Sequence, residues 1–140
     1  MKKLILSIIF SLISVNVHSH VEHYNQFNSL KYELFRNNNL IGFHNYDFEK
    51  KNNNLSVKST VEFKIVKLGI KLYEYKASSE ENYENNIFSS FSSKTKQNKK
   101  NKFVNITFNA EQNDLDIYGS SYKGKASSDF IVGTWWNHEI

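Results

Sequence analysis

The amino-acid sequence predicts an all-β protein: one curved antiparallel meander sheet of about seven strands, a partial or open β-barrel, preceded by an N-terminal signal helix. Three observations carry that expectation. Apolar residues recur with a period of two through most of the chain, asparagine-rich clusters interrupt them every ten residues or a little more, and no segment after the leader has the spacing of an amphipathic helix.

The first element is the leader, Met1 to Ser19. Lys2 and Lys3 supply a positive start, Leu4 to Val15 an apolar run broken only by Ser7, Ser11 and Ser14, and Val17-His18-Ser19 a small-residue cleavage site. The run is short for a bilayer span and the chain beyond it is polar, which favours a cleaved signal peptide over a retained anchor. A single exported domain, residues 20–140, is expected, in the periplasm or secreted. Two of the 18 basic residues leave with the leader, so 16 basic face 14 acidic residues and the mature charge is +2. Such a balance gives little long-range attraction for nucleic acid or for an anionic membrane surface, and nucleic acid is not expected as a partner. The absence of cysteine excludes disulfides, thiolate zinc sites, a cysteine nucleophile and a lipid anchor through Cys. Stability must come from packing, for which the 15% aromatic content is the obvious source of buried area.

After a short helical or irregular lead-in over Val21 to Asn28, Leu30, Tyr32 and Leu34 alternate with Lys31, Glu33 and Phe35 as a first strand. Asn37-Asn38-Asn39 turns it, and His44, Tyr46 and Phe48 share one side of the next strand. Past the polar cluster Lys50 to Asn54 comes the clearest strand. Leu55, Val57, Val61, Phe63 and Ile65 lie on one face, with Ser56, Lys58, Thr60, Glu62 and Lys64 on the other. In Ile70 to Ala77 the apolar side switches from Ile70 and Leu72 to Tyr73, Tyr75 and Ala77, which asks for a bulge or for burial on both faces. Ser78 to Glu84 continues that strand or frays into a turn, and further turns follow at Asn85-Asn86, Asn98 to Asn101 and Gln112-Asn113-Asp114. Val104, Ile106, Phe108 and Ala110 alternate with Asn105, Thr107 and Asn109 as a late strand. With no proline and five glycines, asparagine takes the turn positions, since it tolerates the left-handed backbone region.

Three runs also resemble a known family in order: YELFRNNNLIGFHNYDF (Tyr32 to Phe48), VKLGIKLYEYKASSEENYENN (Val66 to Asn86) and GTWWN (Gly133 to Asn137). They are similar to an exported bacterial group, domain of unknown function family 6134. The resemblance covers roughly Ser29 to the end; it implies an all-β exported domain and no assigned activity. It also implies that this chain is truncated, because similar members continue with further strands past the Trp-Trp-Asn segment.

Chemistry needs convergent groups. His20 and His23 sit at the expected mature start, His44 within a strand and His138 near the end, and none has metal-hydrolase spacing; no metal and no cofactor is expected. Ser93 to Lys96 and Ser120 to Lys123 match the Ser-x-x-Lys pattern of serine acyl-enzymes, but in strand and loop surroundings and without companion motifs. No catalytic residue is named. Lys94, Lys96, Lys99, Lys100 and Lys102 form a basic cluster at one hairpin tip near Glu80, Glu81 and Glu84, read as a solvated surface that keeps an edge soluble. Its sharper alternative is docking to anionic headgroups or an envelope polymer.

Two functions stay open. The first is a non-enzymatic binding module whose aromatic concave face, with Phe43, Phe63, Tyr73, Tyr75, Phe108, Trp135 and Trp136 as candidates, holds an apolar or lipid-like molecule. The second is a structural or interaction module of the cell envelope with a self-filled core, meeting a partner through an edge strand or the lysines. In it, Trp135 and Trp136 plug the core. A hydrolase is a remote third.

Overall fold

The computed structural model describes residues 26–130. The leader, His20, His23, most of the lead-in and the Trp135-Trp136 tail lie outside the described residues. Eight strands follow one another: β1 (Ser29–Arg36), β2 (Asn39–Lys51), β3 (Asn54–Lys67), β4 (Ile70–Glu84), β5 (Ile87–Gln97), β6 (Lys100–Asn109), β7 (Asp114–Gly119) and β8 (Lys123–Ser127). They form one antiparallel sheet in the order β1 to β8, each strand paired to its chain neighbour, and the sheet is not closed into a barrel. The fold class is the expected one. The strand beyond the expected seven is β8, whose sequence KGKAS has too little apolar content for alternation to register.

Asparagine makes the hairpins. Asn37-Asn38 and Asn85-Asn86 hold both turn residues at positive φ, and Asn52 and Asn98 hold one each, the conformation that matches the right-handed twist of two-residue loops, while Asn113 at positive φ ends the four-residue β6–β7 loop. Leu68-Gly69 does the same between β3 and β4, with Leu68 at φ 52°. Neighbouring turns at one end of the sheet are tied together, Asn85 N–H donating to the Asn53 carbonyl at 3.0 Å.

Three bulges set which side chains share a face. In the first, Leu34 opposes Gly42 and Phe35 opposes Leu40, leaving Ile41 as the extra residue. Gly42 permits this crossing: a Cβ there would overlap the Glu62 carbonyl oxygen and lie 2.6 Å from Phe63 Cα. The second falls where Ile65 opposes Tyr73 and Val66 opposes Lys71, so Leu72 is extra. Of the two explanations for the switch within Ile70 to Ala77, a bulge or burial on both faces, this is the bulge. The third leaves Ser89 unpaired and brings Phe88 beside Tyr83, their rings edge-on at 6.0 Å. Ser78 to Glu84 is a straightforward continuation of β4.

The buried core sits toward one end of one face, where Tyr46, Phe48, Leu55, Val57 and Tyr83 pack with Leu30 and Phe88 against them. Leu115, at 3% exposure, extends burial onto β7.

Candidate functional site

Directly opposed residues of antiparallel strands point to the same side, so the registers define the two faces. Tyr46, Ser59, Ser79, Ser93 and Val104 lie in one row across β2 to β6, and Phe48, Val57, Glu81, Phe91 and Ile106 in the neighbouring row on that same face. This is the apolar face. The opposite face carries Asp47, Lys58, Glu80, Ser92 and Asn105.

The apolar face has three zones. At the closed end lies the core, and within it Glu81, buried at 2% exposure, accepts a hydrogen bond from the Tyr83 hydroxyl. In the middle His44 Nε2 and Ser59 Oγ are hydrogen-bonded at 2.9 Å, and the imidazole lies against Tyr46 at 4.3 Å between ring centroids. Burial pushes the His44 pKa below its usual value, so the ring is held neutral. Ser59, Ser79 and Ser93 face one another across three strands, a hydroxyl band between two oily regions. At the open end Phe63 stacks on Tyr75 at 5.3 Å and on Tyr73 at 5.7 Å, all three rings half-buried.

Of the aromatic residues expected on one face, the structure therefore brings Phe63, Tyr73 and Tyr75 together. Phe108 shares their face but stands on β6 opposite Leu115, in a separate part of the sheet. Phe43 is a correction: it opposes Glu33 and Glu62 on the charged face, because odd residues of β2 and odd residues of β3 point to opposite sides. Trp135 and Trp136 lie outside the described residues. The basic cluster is also corrected, since it is not one patch. Lys94 opposes Phe103 and Lys96 opposes Asn101 on the polar face, Lys100 and Lys102 oppose Gln97 and Thr95 on the apolar one, and Lys99 sits in the turn. Likewise Glu81 is buried while its neighbour Glu80 lies on the polar face and accepts from Ser56 Oγ at 3.1 Å. The acidic run was read as solvated throughout; strand alternation splits it. The signal was present in β4, where Glu81 and Tyr83 continue the odd-numbered series of Tyr73, Tyr75 and Ala77.

Ser93 and Lys96 point to opposite faces of β5, and Ser120 and Lys123 flank the β7–β8 turn. Among the described residues no three His, Cys, Asp or Glu side chains are grouped to hold a metal ion.

The polar face is laced with ion pairs. Lys58 meets Glu49 at 2.7 Å, Lys76 meets Glu62 at 2.7 Å, and Lys125 meets Asp114 at 2.8 Å. The Lys76 hydrogen bond holds the Glu62 carboxyl below its usual pKa, as the Lys71 ammonium does for Glu74. The lysines are solvent-exposed while Glu62, Glu74 and Asp114 are part-buried, and pairs of this kind at the water boundary specify solubility and register more than stability.

Residues 32–140 match the model of a family described as Domain of unknown function (DUF6134). The chain belongs to that family. The expected kinship thus holds, and two of the DUF6134 runs acquire structural meaning. The Ile41-Gly42 step is the β1–β2 bulge and the crossing of β2 past β3, and the Leu68-Gly69 step is the β3–β4 turn. No curated protein and no solved structure matches this DUF6134 chain.

Proposed function

We propose that the protein is an exported binding module that acts by holding an apolar or lipid-like molecule against the apolar face of its sheet, without catalysis. One observation carries the reading. The half-exposed stack of Phe63, Tyr73 and Tyr75, with half-buried Phe91, Ile106 and Ile117, belongs to a face over which the described residues lay no second layer. A single sheet with one oily face needs a cover, and ligand is one. The hydroxyl band of Ser59, Ser79 and Ser93 and the neutral His44 offer the few polar contacts that orient such a molecule. Export is supported by the leader Met1 to Ser19.

The second reading, a structural or interaction module of the envelope, is favoured by the closed end. There Tyr46, Phe48, Leu55, Val57 and Tyr83 already fill the face with the protein's own side chains. In that reading β1 and β8, the edge strands of the described sheet, meet a partner.

Mass spectrometry of an organic extract of the protein purified from the cell envelope separates the two. A stoichiometric apolar molecule is expected. A clean extract from folded protein decides for the structural module.

A further inference from the structure

The β3–β4 hairpin extends past both of its neighbours. Pairing of β2 with β3 ends at Gly42 opposite Phe63, and pairing of β4 with β5 ends at Tyr75 opposite Gln97. The last brace is the β5–β6 turn, where Asn98 N–H donates to the Glu74 carbonyl at 2.7 Å and Asn98 Oδ1 accepts from Glu74 N–H at 2.9 Å. Beyond that point Lys64 to Tyr73 form a two-stranded arm, paired among the described residues only within itself as far as Lys67 opposite Ile70.

The arm is oily where a solvated arm would be polar. Val66, Leu68, Ile70 and Leu72 are all more than half exposed, Leu68 at 92%, and Phe35 and Leu40 are similarly bare on the adjacent β1–β2 hairpin at the same end of the sheet. The bulge at Leu72 adds an outward aliphatic group. Leu68 also breaks the local rule. It holds the left-handed conformation at φ 52° that asparagine takes at the other turns, a position that disfavours a leucine, and its side chain gains almost no packing there. A strained apolar residue at the tip of a projecting turn is understandable when the tip is buried in something else.

Charge says what. Lys64 and Lys71 both reach Glu74, at 3.6 and 2.9 Å, whereas Arg36 and Lys67 have no carboxylate partner among the described residues. Aliphatic side chains at a tip that carries Lys67, with Arg36 on the adjacent hairpin and Lys64 and Lys71 paired to Glu74 behind it, match the boundary between acyl chains and anionic headgroups. The backbone pairing up to the turn means that shallow insertion carries few unsatisfied polar groups with it. We propose that the β3–β4 tip is a membrane-docking element that seats Val66, Leu68, Ile70 and Leu72 in an anionic lipid surface. It is independent of whether the apolar face holds a ligand.

Because the chain has no cysteine, Leu68→Cys and Asn53→Cys each provide a unique site for an environment-sensitive fluorophore, at opposite ends of the sheet. With vesicles of phosphatidylcholine and phosphatidylglycerol, the label at 68 is expected to shift to the blue and the label at 53 to stay unchanged. Vesicles of phosphatidylcholine alone and added salt should both weaken the response. Leu68→Asn should lower vesicle affinity about tenfold while raising the thermal midpoint, opposite signs that damage to the fold cannot produce. The proposal is overturned if the label at 68 ignores anionic vesicles or responds no more than the label at 53. It is equally overturned if Leu68→Asn binds as well as the parent, or if the shift grows with protein concentration without lipid, which assigns the tip to self-association.

Discussion

Among the described residues asparagine occupies seven of the eight non-glycine positions held at positive φ, which makes the turns a matter of local chemistry and leaves Leu68 as the exception. A second residue under backbone constraint is Gly42, whose missing Cβ lets β2 pass the Glu62 carbonyl. Gly42→Ala is expected to cost at least about 2 kcal/mol, because the atoms in the way are backbone and cannot rotate aside. Chemical denaturation measures this, and a loss under about 0.5 kcal/mol, the range of neutral surface changes, contradicts the described crossing. His44 carries a pH signature. Its pKa is lowered in the folded state by burial, so the unfolded chain binds the proton more readily. The stability this contributes is present above the ordinary value of 6.5 and is lost as the pH falls below it. The drop in thermal midpoint between pH 7 and pH 5 should therefore shrink in His44→Gln; an unchanged drop places the sensitivity elsewhere. Glu62 and Glu74, whose pKa values are lowered by Lys76 and Lys71, act in a separate window, below the usual carboxylate range.

Among elements, β3 and β4 are paired from the turn at Lys67 and Ile70 to the far end at Asn54 and Glu84, whereas β8 is five residues long and lies at an edge. Local opening follows that difference, since a central strand must break two ladders and leave buried groups behind. Amide exchange should be slowest across Val57 to Val61 and its β4 partners and fastest in Lys123 to Ser127. Equal protection of β8 and β3 is the result that defeats this reading. The strands with clean alternation, above all Leu55 to Ile65, were visible in the sequence because period two is a local property. The eighth strand was not, because its pairing is decided by what β7 offers and not by its own residues.

For the molecule as a whole, the division into an oily and a charged side is the feature on which the proposed function rests. Phe63→Ser and Phe43→Ser remove the same side chain from opposite faces. If an apolar molecule occupies the oily side, Phe63→Ser should reduce the amount co-purified severalfold and Phe43→Ser should leave it unchanged. Equal losses, or none, count against that face as the site. By itself the sequence determined the secretory leader expectation, the all-β class, most of the turns and the family, since each is written in contiguous residues or in their spacing. Only the tertiary structure decided that Phe43 faces away from Phe63, that Glu81 is buried while Glu80 lies on the polar face, that five neighbouring lysines part to two faces and a turn, and that the β3–β4 hairpin outruns its neighbours. Those outcomes depend on register and on three bulges. A one-residue slip between strands exchanges the faces of every side chain beyond it, and the pairings that fix register join residues distant along the chain.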